Sequence, residues 1–102
     1  MKSVMSEPRS EGDVRAAGYV VARVVEDRTV IVDMDKGTCW DLNTVGAAIW
    51  RMIGDAMPRE QLPEAVAQAF QIPLATAARD VNAFIEDMLS HGLLVECPTP
   101  KG

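Results

Sequence analysis

The stretch 38–50 reads Thr-Cys-Trp-Asp-Leu-Asn-Thr-Val-Gly-Ala-Ala-Ile-Trp. It changes its apolar period once, at Asn43, and that change constrains the fold more than any other feature of the chain. Before the joint, Trp40 and Leu42 sit two residues apart, on one face of a strand. After it, Val45, Ala48, Ile49 and Met52 recur at the steps that define one face of a helix. Asn43 itself suits the joint, because its side-chain oxygen accepts a backbone N–H that a first helical turn leaves free. A strand and a helix aiming apolar side chains the same way make the corner of a small core, onto which the remaining segments must pack.

Upstream of the corner, residues 18–25 (Gly-Tyr-Val-Val-Ala-Arg-Val-Val) are short and rich in β-branched side chains, which predicts a strand. Glu26-Asp27-Arg28 is a polar break of hairpin length. Residues 29–34 give a second strand, with Val30, Val32 and Met34 on one face. Asp35-Lys36-Gly37 is a further turn, with Gly37 suited to a positive φ. Thr38–Leu42 is then a third strand, and three strands joined by tight turns form an antiparallel meander.

Downstream, a first helix spans about 44–53 and is expected to stop at Gly54. Gly46 lies inside it at a cost of about 1 kcal/mol relative to Ala, which suggests close approach by another backbone. A second helix starts near 58–63, where Pro is tolerated in a first turn, with Leu62, Val66, Ala69 and Phe70 as its buried stripe. The third, over 74–90, carries Leu74, Ala77, Ala78, Val81, Phe84, Ile85 and Met88 at helical spacing and is closed by Gly92. Leu93-Leu94-Val95 reads as a short extended segment. Strands first and helices after argue for an α+β fold, a three-stranded antiparallel sheet followed by three helices. These are the parts of a winged helix in an altered order. The expected organisation is a flexible arm over 1–17, one domain over 18–96 and a loose tail over 97–102.

Several function classes are disfavoured by content. A net charge of −5 and the lack of any Lys/Arg cluster speak against a nucleic-acid binder, the winged-helix alternative. No apolar run is long enough to span a bilayer and the N-terminus lacks the apolar centre of a signal peptide, so a cytoplasmic location is expected. Cys39 and Cys97 form no C-x-x-C pair and have only His91 as a nitrogen neighbour, so neither a metal site nor any cofactor is expected and both read as reduced structural thiols.

Catalysis finds equally little. A thiol nucleophile at Cys39 would need a base, and His91 is the only histidine. At the end of the third helix His91 has a simpler role, opposite the carbonyl-rich terminus. Asp80, Glu86 and Asp87 read as a solvated helix face, and Asp33, Asp35 and Asp41 as turn and strand-end residues. What remains is the sheet. The third strand, with one charge and no Pro, is poorly protected as an edge and would accept an added strand; a covering arm or a second copy of the chain is the alternative.

The run 30–50, an apolar strand, a Gly turn, an aromatic and then Leu-Asn-x-x-Gly-x-x-Ile-Trp, resembles the PqqD-like family. Asp80-Val81-x-x-Phe84-Ile85 followed by Gly92-Leu93-Leu94 is similar to that family's last helix. The resemblance covers roughly residues 19–95. It implies a recognition element for ribosomally synthesised, post-translationally modified peptides (RiPPs), a non-enzymatic domain that binds the leader segment of a precursor peptide. The leader would add as a strand beside Thr38, Cys39, Trp40, Asp41 and Leu42, facing Asp80, Phe84, Asp87 and Met88. The quinone-cofactor (PQQ) proteins typically carry Pro-Glu in the second turn, where this chain reads Asp35-Lys36-Gly37. The Asp-x-x-x-Gly turn with Trp50 is more similar to the standalone recognition proteins of lasso-peptide clusters. Their partners would be a leader-cleaving cysteine protease and a cyclase, with the chain itself a monomer. A peptide chaperone of quinone or other RiPP biosynthesis is the alternative.

Overall fold

The computed structural model describes residues 12–97. Its elements run β1 (Val14–Ala16), β2 (Val20–Val25), β3 (Arg28–Asp33), β4 (Thr38–Leu42), α1 (Thr44–Gly54), a 3-10 turn (Arg59–Gln61), α2 (Leu62–Phe70), α3 (Leu74–Ser90) and β5 (Leu94–Glu96). The expected three strands are β2, β3 and β4, an antiparallel sheet in that order, followed by the three expected helices.

One boundary moves. The arm expected over 1–17 is not wholly an arm, because β1 pairs antiparallel with β5 in a separate two-stranded sheet. Val14 and Ala17 are 8% and 3% exposed, and the Ala17 N–H donates to Leu93 O at 3.0 Å. The Cys97 N–H likewise donates to Asp13 O at 2.8 Å, so the expected tail is tied at its first residue. The domain therefore begins before Gly18. Residues 1–11 and 98–102, the rest of the expected arm and tail, lie outside the described residues.

Both hairpin turns follow from local chemistry. Val25 pairs with Arg28 across the two-residue loop Glu26-Asp27, and Glu26 adopts φ 59°, as a tight hairpin between twisted strands demands. In the β3–β4 turn, the buried Asp33 carboxylate accepts from the Asp35 and Lys36 N–H groups at 2.9 and 3.0 Å. Gly37 takes φ 74° there, as its place in the turn required.

The core lies between the sheet and the helices: Ile31, Ile49, Leu62, Val66, Val81, Ile85, Leu93 and Leu94 are essentially inaccessible. The inner face of β3 carries Ile31 and Asp33, whereas Val30 and Val32 are only half-buried and Met34 is exposed. Ile31 pairs with Trp40, so the inner face is the one Trp40 defines. On α1 the buried set is Ala48, Ile49, Trp50 and Ile53, and Trp50 lay outside the expected stripe. Ala69 and Leu74, expected in helix stripes, are exposed.

Asn43 caps α1 as expected, its Oδ1 accepting the Gly46 N–H at 2.7 Å. The other end departs from expectation. The helix runs through Gly54, and the left-handed residue that ends it is Ala56, at φ 65°. Ala56 N–H donates to Ile53 O and Met57 N–H to Met52 O, the paired bonds of a Schellman ending, with Met57 and Met52 both packed on the core. An Ala in that region carries a penalty of about 1–2 kcal/mol, partly offset by its smaller unfolded-state entropy relative to Gly. Ala56→Gly is therefore expected to stabilise the domain by about 0.5–1 kcal/mol, raising Tm by about 4 °C in a thermal melt.

Candidate functional site

β4 is an edge strand, and no described strand pairs with its outer side. Its hydrogen-bond phase can be worked out. The Met34 N–H donates to Tyr19 O at 2.8 Å, which places Met34 in a pair addressed to β2. Along an antiparallel strand the N–H and C=O of one residue point to the same side, and successive residues point to opposite sides. Val30 and Val32 therefore address β2, while Thr29, Ile31 and Asp33 address β4. Their partners there are Leu42, Trp40 and Thr38. These three use their backbone groups within the sheet, which leaves Cys39 and Asp41 aiming an N–H and a C=O each out of the edge.

The same pleat sorts the side chains. Trp40 and Leu42 face the helices; Cys39 and Asp41 face the outside of the sheet. There the Asp41 carboxylate is bound by Arg28 at 2.6 Å. Beside the edge lie two adjoining recesses. A smaller one, about 200 Å³, is bordered by Trp40, Leu42, Phe84 and Met88, with Asp41 at the edge and Asp87 at the rim. A larger one, about 580 Å³, is bordered by Val45, Ile49, Ala83 and Phe84, with Asp80 and Asp87 on the α3 side. Asn43, Gly46, Phe84 and Asp87 border both, so together they form one groove between β4, the start of α1 and α3.

Gly46 explains how that groove is shaped. A Cβ built there would stand 3.1 Å from Phe84 Cε1 and 3.2 Å from Asn43 Oδ1. The close approach is thus made by a phenyl ring and the capping oxygen, where a backbone was expected. A side chain at this position would require the ring and the capping oxygen to give way by a few tenths of an ångström. At the far end, His91 follows α3 as its C-cap. Its ring centroid lies 4.4 Å from that of Trp40 and its Nε2 lies 3.4 Å from Asp87 Oδ1. His91 thereby holds the indole that lines the smaller recess.

Of the residues singled out by sequence, Trp40, Asp41, Leu42, Phe84, Asp87 and Met88 meet at the smaller recess, and Asp80 joins them at the larger one. Thr38 and Cys39 lie on the same strand without lining either. Asn43, Val45, Gly46, Ile49 and Ala83 were not singled out for the site. Asn43 and Gly46 had visible helix-cap and close-packing signals; Val45 and Ile49 were indistinguishable from core. The pleat also separates the one thiol–imidazole pair that sequence offered, since Cys39 and the His91-packed Trp40 occupy opposite faces of β4. Both cysteines are unpaired. Among the described residues, no three His, Cys, Asp or Glu side chains converge as metal ligands.

The family model described as coenzyme PQQ synthesis protein D (PqqD) matches residues 28–94. Two solved structures are similar to this chain. One shows TbiB1 in complex with the TbiA(beta) leader peptide, at 22% identity and a TM-score of 0.76, covering 83% of this chain and 99% of that one. The other shows a lasso peptide synthetase B1 complexed with the leader peptide, at 22% identity and a TM-score of 0.70, covering 81% and 98%. No curated protein matches. At such identity the likeness establishes a shared fold.

Proposed function

This chain belongs to the PqqD family, and we propose that it binds the leader segment of a ribosomally made precursor peptide for lasso-peptide maturation. The observation that carries the reading is the pair of outward-facing backbone sites at Cys39 and Asp41 beside an apolar groove. A guest strand lying about 4.8 Å from β4 gains backbone hydrogen bonds there, and its inward side chains enter the recesses. Two structures of the same fold are complexes with leader peptides, which supports the same use of this fold here. The turn held by Asp33 and Gly37, in place of Pro-Glu, favours the lasso branch over the quinone branch.

In this reading the chain does no chemistry. It acts in the cytoplasm as a monomer, handing the leader to a cysteine protease and a cyclase. Holding the precursor raises the effective concentration of the cleavage site at the protease. The test is amide hydrogen exchange with and without a synthetic leader peptide, taken from a short precursor sought among the genes that neighbour this one. The Cys39 and Asp41 amides are expected to become protected, while those of β2, on the opposite edge, stay unchanged. Exchange unaltered at β4 under saturating peptide would overturn the reading.

A further inference from the structure

The groove has a sign as well as a shape, and from it we propose that the guest strand is cationic. It carries a Lys or Arg that pairs with Asp80, with Asp87 adding to the negative field of the groove, next to an apolar side chain seated over Trp40, Leu42, Phe84 and Met88. The proposal rests on the leader-binding reading and names the chemistry that the reading leaves open.

No Lys or Arg borders either recess, whereas two carboxylates of α3 do. Asp80 and Asp87 stand two helical turns apart, about 10 Å along one side of α3. They are not equally engaged. Asp87 has His91 Nε2 at 3.4 Å, while Asp80 forms no ion pair with any described residue. Asp41, the third acidic neighbour, is bound to Arg28 on the outer face, so its charge is answered outside the groove. The unanswered charge therefore sits beside the larger recess, where Val45, Ile49 and Ala83 would take the aliphatic stem of a long cationic side chain. An acidic guest would meet repulsion at the same place, which gives discrimination as well as attraction. The chain's net charge of −5 favours approach of the same class of peptide.

The experiment selects binders from a displayed library of random twelve-residue peptides against the full chain. Enriched peptides are expected to carry Lys or Arg at one fixed spacing from an apolar residue and to lack Asp and Glu there. Repeating the selection with Asp80→Lys should move that position toward Asp or Glu. A selected peptide should bind Asp80→Asn about fivefold more weakly than the unaltered chain, as expected for a partly exposed ion pair. Its affinity should also fall as salt is raised. Melting curves of both variants are expected to overlay that of the unaltered chain, because Asp80 is half-exposed. Enriched peptides without a charge bias, or a bias that Asp80→Lys and Asp80→Asn leave unmoved, would overturn the cationic guest and leave strand addition standing. A library that yields no binder would overturn both.

Discussion

Cys39→Pro is expected to weaken leader binding at least tenfold while the domain stays folded. Proline removes one N–H and places its ring where that N–H pointed. At position 39 the lost donor faces out of the sheet, so no bond to β3 is broken. Edge strands tolerate proline in that orientation, and an extended Thr38 before it is already in the conformation that a following proline favours. The guest strand loses a hydrogen bond of about 0.5–1.5 kcal/mol and meets the ring at close range, so a loss of at least about 1.4 kcal/mol, tenfold, follows. Trp40→Pro is the internal control. Its N–H addresses β3, so the same change one residue along should unfold the sheet before binding can be measured. A titration by fluorescence anisotropy, paired with a thermal melt, separates the two. Full affinity in Cys39→Pro would mean that the guest does not use this edge.

That contrast rests on a distinction the sequence does not carry. Period-two patterning told which face of β4 held Trp40 and Leu42, because burial selects residue type. It was silent on which backbone groups point outward, because every residue has the same N–H and C=O whichever way they aim. The phase emerged only once Met34 was seen bonded to Tyr19 and the register to β4 was known. The reading of β3 shows the complementary weakness. Val30, Val32 and Met34 do share one face, and the inner face is the other, Ile31 and Asp33. A buried carboxylate that folds the following turn carries no apolar signal, so the apolar pattern did not mark which side faces the core.

Helices were more legible at their starts than at their stops. Asn43 announces α1 because capping needs a particular side chain. The stop depends on which residue turns left-handed, and Ala56 does so with a Gly two positions before it. The Met52–Met57 pair on the core explains the choice: the helix ends where both side chains reach apolar surface, at the expense of backbone preference. In the groove, similarly, Asp80, Phe84, Asp87 and Met88 were recognisable through family resemblance together with helical spacing. Val45 and Ile49 were not, since a side chain that lines a groove from within the core looks like any other core residue.

Deleting residues 1–17, the whole of the expected arm, is expected to remove most of the domain's stability. The deletion takes away β1 and the buried side chains of Val14 and Ala17, and leaves Leu94 without its cover and β5 without its partner. Apolar burial of that extent contributes about 3 kcal/mol. The lost bonds from Ala17 to Leu93, from Cys97 to Asp13 and from the Arg59 N–H to the Asp13 carboxylate each add about 1 kcal/mol. The total, about 6 kcal/mol, is close to the lower end of the whole stability of a domain this size, so the shortened chain should melt at least 20 °C lower or fail to fold. Deleting residues 1–11 instead leaves every described contact in place, and its melt is the reference against which the loss is read. The pair of truncations therefore tests whether the two ends of the chain close the core together. If the chain lacking 1–17 melts within a few degrees of the full one, the β1–β5 ribbon contributes little and the domain boundary belongs at Gly18 after all. A large loss would also explain why a three-residue strand with no periodicity of its own belongs to the fold: its partner is at the opposite end of the sequence, and what orders it is Leu93 and Leu94 being already buried against α3.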